Sequence, residues 1–123
     1  MMLREIRNVR QVDGESKRRW FFCHELDLVV WEDGYAISGF QLAYDKHRDE
    51  HSISWDKERG FVHYVVDDGE SVAGVNSAPF LYTDGPFSRD RVLALFLDLS
   101  TDIPDDVAGF VEEKLREFNE PLQ

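Results

Sequence analysis

The stretch "LDLVVWEDGYAISGFQL" limits what this chain can fold into more than any other. Two runs rich in β-branched and aromatic residues flank Asp33-Gly34, a dipeptide that tolerates the positive φ angles of a tight hairpin turn. A two-residue loop there places Glu32 opposite Tyr35, Val30 opposite Ile37 and Leu28 opposite Gly39. The other face then carries Val29 and Trp31 with Ala36, Ser38 and Phe40. Both faces are largely apolar. The hairpin is therefore predicted to lie inside a sheet covered on both sides, or covered on one side by a partner chain.

Neighbouring segments extend that sheet. "RRWFFC" reads as a strand, with a short turn or bulge near "HELD" leading into the next. "HSISW" and "FVHYVVD" read as two more strands joined by "DKERG". In "LREIRNVRQV" the apolar residues Leu3, Ile6, Val9 and Val12 recur every three positions, which suits neither a strand nor a helix. The turn signal "VDGES" that follows favours a strand. Five or six strands joined mostly by short loops predict an antiparallel meander.

From Asp67 to Phe87 the pattern breaks. Residues 68–79 combine Gly, Ser and Asp with few core-forming residues and are expected to be the most mobile internal segment. "PFLYT" is expected to form a short edge strand. The C-terminus then switches to helical periodicity. In "SRDRVLALFLDLST", Ser88 is the expected N-cap, and the dense apolar residues predict a largely buried helix. In "DIPDDVAGFVEEKLREF", Asp102 is the expected N-cap and Pro104 fits the first turn. Val107, Phe110, Val111, Leu115 and Phe118 form one apolar stripe. Strands first and helices last predict an α+β fold: an antiparallel sheet followed by two C-terminal helices packed on one face, as a single domain over residues 1–123.

Composition narrows the function classes. At 123 residues, with 42% hydrophobic and 13% aromatic residues, the chain can bury a sizeable core. One cysteine, Cys23, excludes an internal disulfide and a cysteine-rich zinc site. It sits in an apolar run and reads as a small buried hydrophobe. No apolar run reaches the length of a membrane span, and "MMLREIRNVRQV" lacks the apolar stretch of a signal peptide, so the expectation is a cytoplasmic protein with no membrane partner. Net charge is −11, unevenly spread. Residues 1–20 hold six basic residues (Arg4, Arg7, Arg10, Lys17, Arg18, Arg19) against three acidic ones. The remainder is strongly acidic and argues against nucleic acid. The N-terminal arginines are expected to pair with carboxylates of the same chain or of a second copy.

Chemistry concentrates in "AYDKHRDEHSISW", where His47 and His51 stand four positions apart among three carboxylates, and His63 follows in "GFVHYVV". If Trp55 faces Phe61, then Ile53 faces His63 and His51 faces Val65, so His51 and His63 share a sheet face as diagonal neighbours roughly 7 Å apart. A one-residue slip would separate them. His51 and His63, with His47 or Glu50 from the loop, are thus the candidate ligands of a divalent metal, although their spacing matches no known metal motif. Asp45, Asp49, Asp56, Glu58, Asp67 and Glu70 crowd strand ends, where pairs can divide acid and base roles, and where turns also need them. No nucleophile elbow or phosphate-binding glycine pattern is present.

"RRWFF", "DLVVW", "GFQLAYDK", "DEHSISW", "GFVHYVVDDGE" and the helical tail together resemble a family of small bacterial proteins of no known activity. The resemblance implies a small bacterial cytoplasmic domain and no catalytic residue, cofactor or partner. The expected function is a protein–protein interaction or regulatory accessory role rather than catalysis. The expected partners are a protein, of basic charge given the acidity of this one, and a second copy forming a homodimer. The alternative is a metal-binding protein or metal-dependent enzyme built on His51 and His63. No other cofactor is expected.

Overall fold

The computed structural model describes residues 2–11, 13–14, 16–34, 36–47, 50–65 and 89–118, with Tyr64 and Val65 described by their backbone alone. Among these residues six antiparallel strands follow one another: β1 (Arg4–Glu5), β2 (Lys17–Phe22), β3 (Asp27–Asp33), β4 (Ala36–Tyr44), β5 (His51–Asp56) and β6 (Gly60–Val65). They pair strictly in chain order within one sheet. Two helices follow, α1 (Arg89–Leu99) and α2 (Asp105–Glu117). The α+β meander expected from the sequence is the observed architecture. None of the described helices is long and apolar enough to cross a membrane.

Alternation along the strands sorts the side chains. Phe21, Leu28, Val30, Phe40, Leu42 and Ile53 are buried on one face of the sheet, where Val92, Phe96, Val107, Val111 and Leu115 of the helices complete the core. Aromatic contacts seal one flank of that layer. Trp55 meets Phe110 edge-on with ring centroids 5.4 Å apart, and Phe61 meets Phe118 in the same way at 5.0 Å. The amphipathic stripe predicted for α2 is thus the face it buries. Arg89, at the start of α1, donates to the carbonyls of Arg116 and Phe118, satisfying acceptors that the end of α2 leaves over.

The central hairpin departs from its expected register. Asp33 pairs with Ala36 and Glu32 with Ile37, so the two-residue loop begins at Gly34, whose φ of 66° suits a residue without a side chain. The register then shifts between Trp31 and Glu32, and Trp31 pairs with Gly39, Val30 with Phe40 and Leu28 with Leu42. Ser38 is the extra residue of a β-bulge. Its hydroxyl donates to the Trp31 carbonyl at 3.3 Å, and its carbonyl accepts the Lys57 N–H at 3.0 Å. Burial explains the shift. Without the shift Gly39 would stand opposite Val30 in the core and Phe40 opposite Val29 on the outside. The bulge exchanges them, and burying one more phenylalanine stabilises by about 1.5–3 kcal/mol.

Other boundaries also differ. "REIRNVRQV" gives a strand of only two residues, and by alternation the flanking Leu3 is buried in the core while Ile6 lies on the opposite side of the sheet. Ile6 still donates to the Trp20 carbonyl, and the chain then turns at Asn8, φ 58°. α1 buries Val92, Leu93, Phe96 and Leu99 but exposes Leu97, so it has a solvent face that the sequence reading did not expect. At α2 the cap position is Pro104, and no side chain among the described residues caps the helix; Asp102 lies upstream of that position. The expected mobile segment 68–79, the edge strand "PFLYT" and the Ser88 cap lie outside the described residues.

Candidate functional site

Along β2 the residues alternate between the two faces. Phe21 enters the core, and Arg18, Trp20 and Phe22 project to the face away from the helices. Two large apolar side chains therefore lie on the outside of one strand: Trp20 is 40% exposed and Phe22 45%. Across the ladder Arg18 stands beside Trp31 and Trp20 beside Val29, and both of these partners are only half-buried.

The N-terminal segment forms the other wall of a cleft on this face. Gln11 holds it in place: its side-chain amide donates to the Arg18 carbonyl and accepts the Arg18 N–H, each at 2.8 Å. The Arg18 guanidinium donates to the Arg10 carbonyl at 2.9 Å. The space between segment and sheet is about 430 Å³ and is lined by Val9, Arg10, Arg18, Trp20, Val29 and Trp31, with Ile6, Asn8 and Gln41 completing it.

The cations of β2 and the N-terminal segment differ sharply in their pairing. Arg19, on the helix side, is fixed by Glu5 at 2.8 Å and Glu32 at 3.2 Å. The hydrogen bond from Arg19 lowers the Glu5 pKa against the opposing effect of burial, and the guanidinium is held still more firmly protonated than usual. By contrast, Arg4, Arg7, Arg10, Lys17 and Arg18 form no ion pair among the described residues. The expectation that the N-terminal arginines pair within the chain thus holds for Arg19 alone in that region. Asp27 is the carboxylate beside the exposed aromatics. It accepts from the Trp20 indole at 3.3 Å and faces Lys46 at 3.5 Å, while Lys46 also lies 4.2 Å above the Phe22 ring centroid.

The histidines occupy two separate places. Trp55 pairs with Phe61, Ile53 with His63 and His51 with Val65, the register expected from the sequence. The rings of His51 and His63 stack with centroids 5.5 Å apart. Tyr44, buried on β4, joins them: its hydroxyl hydrogen-bonds His63 Nε2 at 2.5 Å, and its ring lies 5.8 Å from that of His51. His47 is elsewhere. It stacks on His24 at 3.9 Å, and its Nε2 donates to the His24 carbonyl at 3.0 Å. His51 and His63 converge and His47 does not join them. No group of three or more potential metal ligands occurs among the described residues.

Two of the singled-out carboxylates have structural work. Asp45 forms a two-pronged ion pair with Arg91, with contacts of 2.8 and 3.1 Å. Asp56 accepts the N–H groups of Glu58 and Arg59 and so shapes the β5–β6 turn. Glu58 is exposed, and Asp49, Asp67 and Glu70 lie outside the described residues. Cys23 is buried, as expected.

Comparison with protein-family models, curated proteins and solved structures finds nothing that matches this chain. The resemblance noted in the sequence therefore brings no activity, ligand or partner to these sites. Sequence reasoning also passed over the outer cleft. The signal was available in "RRWFF", where Arg18, Trp20 and Phe22 fall on one face by alternation, but which face the helices would cover was not.

Proposed function

We propose that this chain is a protein-interaction domain, regulatory or accessory in role, that engages its partner through the outer face of β2 and β3. The observation that carries this reading is the exposure of Trp20 and Phe22 side by side on a rigid sheet, next to Trp31 and an arginine, Arg18, without a carboxylate partner among the described residues. Tryptophan, aromatic and arginine side chains dominate the energetic centres of protein interfaces, because they bury large areas at small entropic cost. A photo-crosslinking amino acid such as p-benzoylphenylalanine at Phe22, introduced in cells that express the protein, should give discrete adducts. The same group at Leu97, exposed on α1, should not. An adduct of twice the chain mass would identify the homodimer expected from the sequence, and another mass a different partner. Matching patterns at both positions, or none at Phe22, would overturn the proposal.

A second reading rests on the His51–His63 stack. Two imidazoles from adjacent strands are the start of a divalent-metal site and need at least one further donor. Zinc or nickel at roughly tens of micromolar should then raise the melting temperature of metal-stripped protein by linkage. His51→Ala and His63→Ala should abolish the rise. An unchanged melting temperature in the parent protein would remove this reading.

A further inference from the structure

We infer that the cleft between the N-terminal segment and the outer sheet face takes a short acidic segment of a partner protein, with an apolar side chain seated among Trp20, Val29 and Trp31. This rests on the interaction reading above and specifies the partner's chemistry. The floor of the cleft is apolar and indole-rich, which suits a buried anchor residue. Arg10 and Arg18 line it, and no described lining residue is acidic. Neither arginine has a carboxylate partner among the described residues.

Arg18 is also preorganised. Its backbone is clamped by Gln11, and its guanidinium is oriented by the Arg10 carbonyl, leaving further N–H donors for an incoming carboxylate. Arg4 and Arg7, likewise without ion pairs among the described residues, add positive charge to the N-terminal segment beyond the cleft.

The net charge of −11 acts in the opposite sense at long range. It favours an overall basic partner and weakens any electrostatic steering of an acidic one. At contact distance the local arginines prevail, because a carboxylate within the cleft lies closer to them than to the acidic remainder of the surface. The same balance disfavours nucleic acid, whose dense phosphates would extend past the cleft into that remainder.

The experiment is selection of random peptides of about a dozen residues against the full chain, with sequencing of the binders and fluorescence-polarisation titration of the best one. Enrichment of Asp and Glu together with Trp, Phe or Leu is expected. Arg10→Glu and Trp20→Ser change exposed side chains, so folding should be retained, as circular dichroism can verify. Each should weaken binding by about tenfold or more. Selected peptides that are neutral or basic, binding indifferent to both variants, no enrichment, or equally tight binding of labelled oligothymidylate would each overturn the inference. The interaction reading is judged separately, by the crosslinks at Phe22. Position-specific crosslinks with failed peptide selection would leave the surface in place and remove only the acidic segment.

Discussion

Phe40→Ala is expected to lower stability by about 3–5 kcal/mol. Phe40 is 1% exposed, pairs with Val30 and Trp55 on the neighbouring strands, and belongs to the core beneath the helices. Truncating it removes a whole ring from a site bounded by paired backbone on both sides, which limits how far the surroundings can collapse into the gap. The substitution also tests the bulge. Were Ser38 in regular pairing, Phe40 would lie on the outer face and its loss would cost far less. Urea denaturation of Phe40→Ala beside Trp20→Ala separates the two cases. The exposed Trp20 should cost no more than about 1 kcal/mol, and a similarly small cost at Phe40 would refute the bulged register.

Gly39→Ala is expected to destabilise by about 1–3 kcal/mol, although it adds only one methyl group. A Cβ at Gly39 would stand 2.9 Å from the Trp55 carbonyl oxygen, and that atom is backbone within the β4–β5 ladder. It cannot move without disturbing the pairing of both strands. Gly109, in the middle of α2, has nothing among the described residues within 4 Å of an added Cβ and is exposed. Gly109→Ala should therefore stabilise by about 0.5–1 kcal/mol, because alanine restricts the unfolded chain and favours helix. One substitution type with opposite signs at two positions is checked by melting temperature, at roughly 4 °C per kcal/mol for a chain of this size. Equal shifts at the two glycines would show that contact with the ladder does not set the effect.

These two residues also mark the boundary between what pattern reveals and what it leaves open. Alternation in "FVHYVV" and "HSISW" predicted the β5–β6 register, because aligning Trp55 with Phe61 puts bulky residues together on one face. That register brought His51 beside His63 without any further assumption. His47 was a different matter. It belongs to a loop, where no periodicity governs direction, and its packing on His24 depends on two turns that are distant in sequence. The β3–β4 hairpin was legible as a hairpin but not in its pairing. A bulge leaves no signature in local propensity and is selected by which side chain the core gains.

By itself the sequence determined the element types, their order, the antiparallel meander and the amphipathic face of α2, since each depends on periodicities and turn residues within a dozen or so neighbours. Only the tertiary structure decided which sheet face the helices cover. That choice buried Phe21 and left Trp20 and Phe22 exposed, paired Arg19 with Glu5 and Glu32, and set Arg18 at a cleft with no carboxylate among its described lining residues. Both faces of β2 and β3 carry apolar side chains, so composition alone favours neither. Once the bulge brings Phe40 to one face, the helices bury more apolar area there than on the other, and that difference in burial assigns the remaining face to the surface.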